Sequence, residues 1–247
     1  MIAIRSSSPR RRGNSNLTVT TVITFAAWLA VILTCSGLLF GWLLPAVNEA
    51  RNEARYLTSV GRLKQLGLAL HNYHDVYGCF PPPYVADEQG RPMHSWRVLI
   101  LPYIEAQDVY DRYDFDEPWD GPNNILLIHE RPISFENARL SYEDDSTTTY
   151  QAITGPGTCF DPTAPSVSLG DIKDKHADTL LLVESCGKPI IWTEPDDISP
   201  AEFLAGEGFE ETSFTKLPVL MADTSYLPAE KGKLKAWRRC MTRAAGD

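Results

Sequence analysis

The sequence predicts an α+β protein whose long N-terminal helix has a transmembrane half and an amphipathic half packed on a small antiparallel sheet, with loop insertions. Three observations predict it. Residues 17–44 carry no charge, a helical apolar rhythm continues past Pro45 as far as Tyr77, and the remainder is broken by Pro and Gly into short segments.

The first element is the run Leu17–Leu44, LTVTTVITFAAWLAVILTCSGLLFGWLL. Crossing the hydrocarbon core takes roughly twenty apolar residues, so the run is long enough to span. Arg5, Arg10, Arg11 and Arg12 precede it without an acid, and a mixed Glu49/Arg51/Glu53/Arg55 segment follows. By the positive-inside rule residues 1–16 form a cytoplasmic basic tip, and residues 45–247 form the exported part. The alternative, a cleaved signal peptide, has an apolar region of roughly 7–15 residues ending in a small-residue site. This run is longer and ends in Trp-Leu-Leu-Pro, which favours a retained single-pass anchor in the inner membrane with the bilayer as partner.

After Pro45 a helix is expected over 45–77. Val47, Ala50, Ala54, Leu57 and Gly61 recur at three and four, and Leu63, Leu66, Leu70, Tyr73 and Tyr77 continue on a nearby face. Gly78 and Pro81-Pro82-Pro83 stop it. Residues 78–230 read as a loop-rich sheet domain. Helical turns fall at Ser95–Tyr103, Glu105–Tyr110 and Asn123–His129. Strands are expected at Thr148–Thr154, Thr179–Ser185, Pro189–Thr193, Leu217–Ala222 and Ser225–Leu227, with Leu180–Val183 suiting a doubly buried strand. Glu136–Ser146 and Pro195–Thr215 read as loops, and 231–247 as a basic, solvated tail with helical character over Lys231–Arg243.

Charge narrows the function. With the four N-terminal arginines set aside, the net charge of −9 becomes −13 for the rest. A domain so acidic repels phosphate backbones, so nucleic acid is excluded as a partner. Cys79, Cys159, Cys186 and Cys240 fall in the exported part, where disulfides persist, and allow three pairings. No Cys-x-x-Cys, Gly-x-Ser-x-Gly elbow or phosphate loop occurs, and no catalytic group is assigned.

The candidate sites are few. His71 and His74 stand one turn apart, a spacing that suits a metal but equally two core imidazoles. In DRYDFDEPWD, Asp114, Asp116 and Asp120 are candidate calcium ligands, since hard cations take six to eight oxygens. Acids alternating with Tyr113, Phe115 and Trp119 also suit a loop anchored by rings. Glu194, Asp196 and Asp197 form a weaker acidic group. Trp96, Trp119 and Trp192 suit the core of a loop-rich domain better than a binding surface.

Several segments together carry a resemblance: LLPAVNEAR (43–51), LKQLGLALHNYHDVYGCFPP (63–82), SWRVLILPYIEAQDVYDRYDFDEPWDGPNN (95–124), TYQAITGPGTCF (149–160), DTLLLVES (178–185) and IIWTEPDD (190–197). They resemble the domain-of-unknown-function-1559 family, whose members have a type IV pilin-like N-terminus and resemble the major pseudopilin of type II secretion. The resemblance implies an α+β head on a long helix, other pilin-like or secretion subunits as partners, and a calcium loop of the pseudopilin kind. Four departures stand out. Gly13 is followed by Asn14 rather than Phe, and Thr18 stands where pilins carry a glutamate. Ile133-Ser134-Phe135-Glu136 replaces a cysteine-containing segment, and Thr224 stands where the family's closing Ala-Asp-Gly-Ser has glycine. The segment Leu17–Leu44 therefore reads as a plain anchor. The function expected is a non-enzymatic envelope protein with a structural or secretion-accessory role; the alternative is a membrane-tethered module binding calcium, glycan or peptide.

Overall fold

A computed structural model describes residues 15–140, 145–210, 212 and 214–244. The chain divides into two units, Met1–Asn52 and Glu53–Asp247. Helix α1, Ser15–Tyr77, runs through Pro45 without interruption. In the first unit its apolar side chains are bare: Phe25 is 80 % exposed, Trp28 69 % and Trp42 78 %. The helix is long and apolar enough to cross a membrane.

The second unit is α+β, as the sequence predicts. Four antiparallel strands lie in the order β4 (Tyr150–Ala152), β5 (Leu180–Glu184), β7 (Lys216–Met221) and β8 (Tyr226–Glu230). Two short pairs accompany them: β1 (Tyr84–Ala86) with β2 (Pro92–Ser95), and β3 (Thr147–Thr148) with β6 (Ile190–Ile191). All five residues of β5 are buried, as its unbroken apolar run implies. Strand β7 shows how both faces of the sheet are covered. Leu220 points into one core with Leu63, Leu66 and Leu70 of α1, whereas Leu217, Val219 and Met221 point into a second core.

The α1 face that meets the sheet is only partly the one expected. Tyr56, Ser59, Val60, Leu63, Leu66, Ala69 and Leu70 are buried, but Ala54, Leu57 and Gly61 are exposed, and Tyr77 is 59 % exposed. Two apolar rhythms overlap along this helix, and the bulkier one takes the core. Gly67 allows the closest approach: a Cβ there would lie 2.5 Å from Leu220 Cδ2. His71 Nε2 bonds the Ala222 carbonyl at 2.9 Å, and Lys216 pairs with Glu53 at 3.0 Å.

Two buried ion pairs tie the loops to this frame. Arg97, in α2 (Trp96–Leu99), is fully buried and donates to Asp197 Oδ1 at 2.5 Å and twice to the Tyr150 carbonyl at 3.1 Å. Asp197 also accepts from the Ala152 amide at 2.7 Å and the Trp96 indole at 3.0 Å. Burial pushes its carboxyl up to about 6, against the pull of the guanidinium. Glu184 accepts from Ser59 of α1 at 2.7 Å, Arg139 at 2.9 Å and Asn137 at 3.1 Å. Burial raises its pKa too, and Arg139 and these hydrogen bonds oppose the shift.

Three readings are corrected. The stretch 195–215 is not all loop: Pro200–Ala205 forms helix α4, capped by Ser199 and Glu202 in a reciprocal box and closed by Gly206 at φ 96°. The β1–β2 hairpin lies where no strand was expected, held by the Asp87 carboxylate accepting from the Gln89 and Arg91 amides. The C-terminal stretch is no solvated tail, since Lys231–Met241 forms a 3-10 helix with Leu234 and Met241 buried. Of the loop 136–146, positions 141–144 lie outside the described residues.

The β7–β8 turn yields a measurable consequence. Thr224 adopts φ 66°, and its amide donates to the Met221 carbonyl at 2.9 Å. A β-branched residue in the left-handed region costs about 1–2 kcal/mol, and glycine returns roughly half of that in chain entropy. Thr224→Gly should therefore stabilise the protein by about 0.5–1 kcal/mol, raising the thermal midpoint by roughly 1–4 °C. Thermal unfolding of the two proteins side by side checks this, and a lower midpoint for the variant contradicts it.

Candidate functional site

The densest group of sequence-named candidates sits between α3, Gln107–Arg112, and the 3-10 turn Asn124–Leu127. The loop between them is built on Asn124, whose side chain is buried. Its Oδ1 accepts from the Asp114 amide at 2.9 Å, and its Nδ2 donates to the carbonyls of Asp114 (2.8 Å) and Pro118 (3.1 Å). Glu117 closes the other side, accepting from the amides of Asn123 and Asn124 at 2.8 and 2.6 Å. This pattern satisfies the loop's own backbone, which explains an acidic, aromatic-rich stretch without regular structure.

The ring side of the loop is anchored through His94, which is 2 % exposed. Its Nε2 lies 3.1 Å from the Phe115 carbonyl, and its Nδ1 3.1 Å from the Tyr113 hydroxyl. The carbonyl can only accept, so Nε2 carries the proton and neutral Nδ1 accepts from Tyr113. Burial pushes the His94 pKa down and the Tyr113 pKa up, keeping both uncharged.

The calcium candidates occupy the outside of this loop. Asp116 and Asp120 are exposed and Asp114 is half-buried, its Oδ1 accepting from the Asp116 amide at 2.9 Å. Among the described residues, no three His, Cys, Asp or Glu side chains gather to hold a metal. Asp120 lines a shallow depression with Asp87, Arg91, Pro92, Met93 and Pro118. Asp87 there is matched by Arg91 at 2.6 Å.

The other candidates serve the frame. His71 and His74 are not brought to one point: His71 bonds Ala222, and His74 Nε2 accepts from the Leu169 amide at 3.1 Å. Of the weaker acidic group only the Asp197 carboxylate is turned inward, while that of Asp196 is half-exposed and pairs with Lys188 at 3.4 Å. The carbonyls of Glu194 and Asp196 accept from Arg97, and Asp197 is its ion-pair partner. Trp96 and Trp192 are fully buried, with indoles bonded to Asp197 and to the Ile128 carbonyl, and Trp119 is half-buried. The aromatic binding surface of the alternative reading loses two of its three members to the core.

Sequence reasoning missed Arg97, Arg139 and Glu184, three of the buried charges. An arginine inside the apolar run SWRVLILP, and a glutamate ending LLLVE, were the available signals. The cysteines fall into two neighbourhoods. Cys79 and Cys159 line one cleft with Asp161 and Val167, while Cys186 and Cys240 pack on the second core. Among the described residues no disulfide joins any of them.

Two measurements follow. Because His94 is held below its ordinary value of 6.5, the unfolded chain takes up that proton first as pH falls, so stability declines below about pH 6.5. His94→Gln should flatten this part of the stability-pH curve measured by denaturant unfolding, and an unchanged slope refutes the assignment. Burial pushes the Cys159 thiol up to about 12 and the Cys186 thiol higher still. Both should resist alkylation at pH 8 in the native protein and react after unfolding, as read by peptide mass spectrometry.

No curated protein and no solved structure matches the chain. A family match spans residues 48–179, more than half of the sequence, and so runs from the amphipathic part of α1 to the threshold of β5. The chain belongs to the family described as protein of unknown function DUF1559.

Proposed function

We propose that this protein is a membrane-anchored, pilin- or pseudopilin-like component of the cell envelope with a structural or secretion-accessory role and no reaction of its own. The observation that carries the reading is α1. One helix supplies both a bare apolar stretch long enough to span a bilayer and, further on, the leucines at the centre of an α+β core. Exposing Val22, Phe25, Trp28, Leu38 and Trp42 to water forfeits roughly 1.5–3 kcal/mol for each fully bare side chain, whereas lipid takes them without that loss. The four N-terminal arginines favour an inside N-terminus and an exported head, and an inner-membrane location follows from that orientation.

The reading places weight on the anchor rather than on the pilin assembly device. The span carries no acid, and the Gly13-Asn14 junction departs from the pilin leader. Partner subunits would therefore be recognised through the head.

Cell fractionation tests this directly. The protein should stay with membranes after an alkaline carbonate wash and leave with detergent, and its intact mass should include residues 1–44. A soluble cytoplasmic protein, or an exported one lacking residues 1–44, overturns the proposal.

A further inference from the structure

The C-terminal stretch Lys231–Met241 is two short 3-10 pieces that meet at a kink at Lys233 (φ −124°, ψ 15°); beyond the kink, from Leu234 on, there are three residues per turn, so side chains three apart eclipse one another. Leu234, Trp237 and Cys240 share one line, and all three pack on the second core, Trp237 edge-on to Phe203 of α4 at 6.4 Å. The next line carries exposed Lys235 and Arg238 before it turns in at buried Met241, the third carries exposed Arg239, and exposed Lys233 lies at the kink itself. Lys233 is matched by Glu230 at 2.7 Å. Among the described residues Lys235 and Arg238 have no anionic partner, and no acid occurs between Lys231 and Gly246. Beyond the kink, the burial of Leu234 and the packing of Trp237 thus hold Lys235 and Arg238 side by side as a cationic face on an otherwise acidic domain.

We propose that this face docks on the acidic 108–120 segment of a second copy of the chain. Two heads of equal negative charge repel in most mutual orientations. Attraction at long range requires the cationic face of one to meet carboxylates of the other. The 108–120 segment presents them: Asp111, Asp116 and Asp120 are exposed, and the Asp108 side chain is 79 % exposed, with half-exposed Phe115 among them. An anionic lipid surface offers charge as well, but it repels the rest of the domain. The two surfaces of the pair are different, so the contact is head-to-tail and leaves a free cationic face and a free acidic segment at its ends. It goes beyond the envelope reading and uses the anchor only to bring copies together, so fractionation and self-association fail separately.

Sedimentation of the full chain in detergent, with a chelator present, tests the contact. Self-association is expected at low salt and should weaken at least about tenfold in 0.5 M salt, where the screening length is only a few ångströms. Lys235→Glu with Arg238→Glu, and separately Asp111→Lys with Asp116→Lys, should each abolish it, and an equimolar mixture of the two double variants should restore it. In the wild type, a zero-length carbodiimide should join Lys235 to Asp111 or Asp116 between isotopically labelled and unlabelled copies. That cross-link decides the matter should a variant fail to fold. A monomer at low salt overturns the proposal, as do association indifferent to the reversals, a mixture that stays apart, or a missing intermolecular cross-link. Loss of binding to phosphatidylglycerol nanodiscs on tail reversal, with self-association unchanged, assigns the face to lipid and overturns it equally.

Discussion

Everything in the second unit depends on the contact between the inner face of α1 and the sheet. Leu63, Leu66 and Leu70 are fully buried, Leu220 rises from β7 to meet them, and Gly67 lets the strand's side chain reach the helix. A four-stranded sheet with strands of three to six residues cannot cover its own faces. The helix covers one, while α4 and the C-terminal 3-10 helix cover the other through Phe203, Leu234 and Trp237. Each fully buried leucine stabilises by roughly 1.5–3 kcal/mol, so the helix face outweighs any single polar contact nearby.

The buried charges do a different job. Replacing an ion pair by apolar residues of like volume is often neutral, whereas removing one partner costs about 3–5 kcal/mol. Arg97–Asp197 and Arg139–Glu184 therefore define which loops go where more than how tightly the core holds. The guanidinium of Arg97 reads three separate backbone carbonyls and Ser95, so α2, β4 and the 194–197 segment must arrive together. Arg139 joins Glu184 to the Lys216 carbonyl and lies over the Phe214 ring at 3.7 Å, so a loop far along the chain is clamped to β5 and β7. Loops make up much of this domain, and fixed electrostatic reference points suit it.

This division explains what was legible in the sequence. The long helix, the doubly buried β5 and the β7 strand announce themselves because burial is written as a run or rhythm of apolar residues. Strand β8 was legible only at its start, since most of its residues are exposed, and Thr224, standing where the resemblance implies glycine, adopts a φ that favours one. The core-facing side of α1 was ambiguous, because small residues at Ala54 and Gly61 keep a helical period without needing burial. Helix α4 was hidden by acids and glycines, although Ser199, Pro200 and Glu202 spell its start. Partners such as Arg97 and Asp197 are a hundred residues apart, and no local pattern announces a pair at that separation. Carboxylate spacing in the acidic 110–120 loop is local and therefore legible, while the groups that organise the loop, Asn124 and His94, are uncharged and lie outside it.

A charged side chain at the centre of a spanning helix costs about 2.5–3.5 kcal/mol on insertion scales, and it repays that only by meeting a partner. Residues 17–44 avoid the cost and with it any charge pairing inside lipid. Helices so uniformly apolar have no preferred register against one another beyond the packing of small residues such as Gly37 and Gly41. Specific recognition between copies must then come from groups that water would otherwise hold. The surface of the head supplies such groups in separated signs, acids on the 108–120 segment and cations on the C-terminal helix, each held by a buried anchor: Asn124 and His94 for one, Leu234 and Trp237 for the other. Charges mounted on fixed backbone lose less freedom on docking than charges on a mobile tail, and that fixity is what makes an electrostatic contact selective.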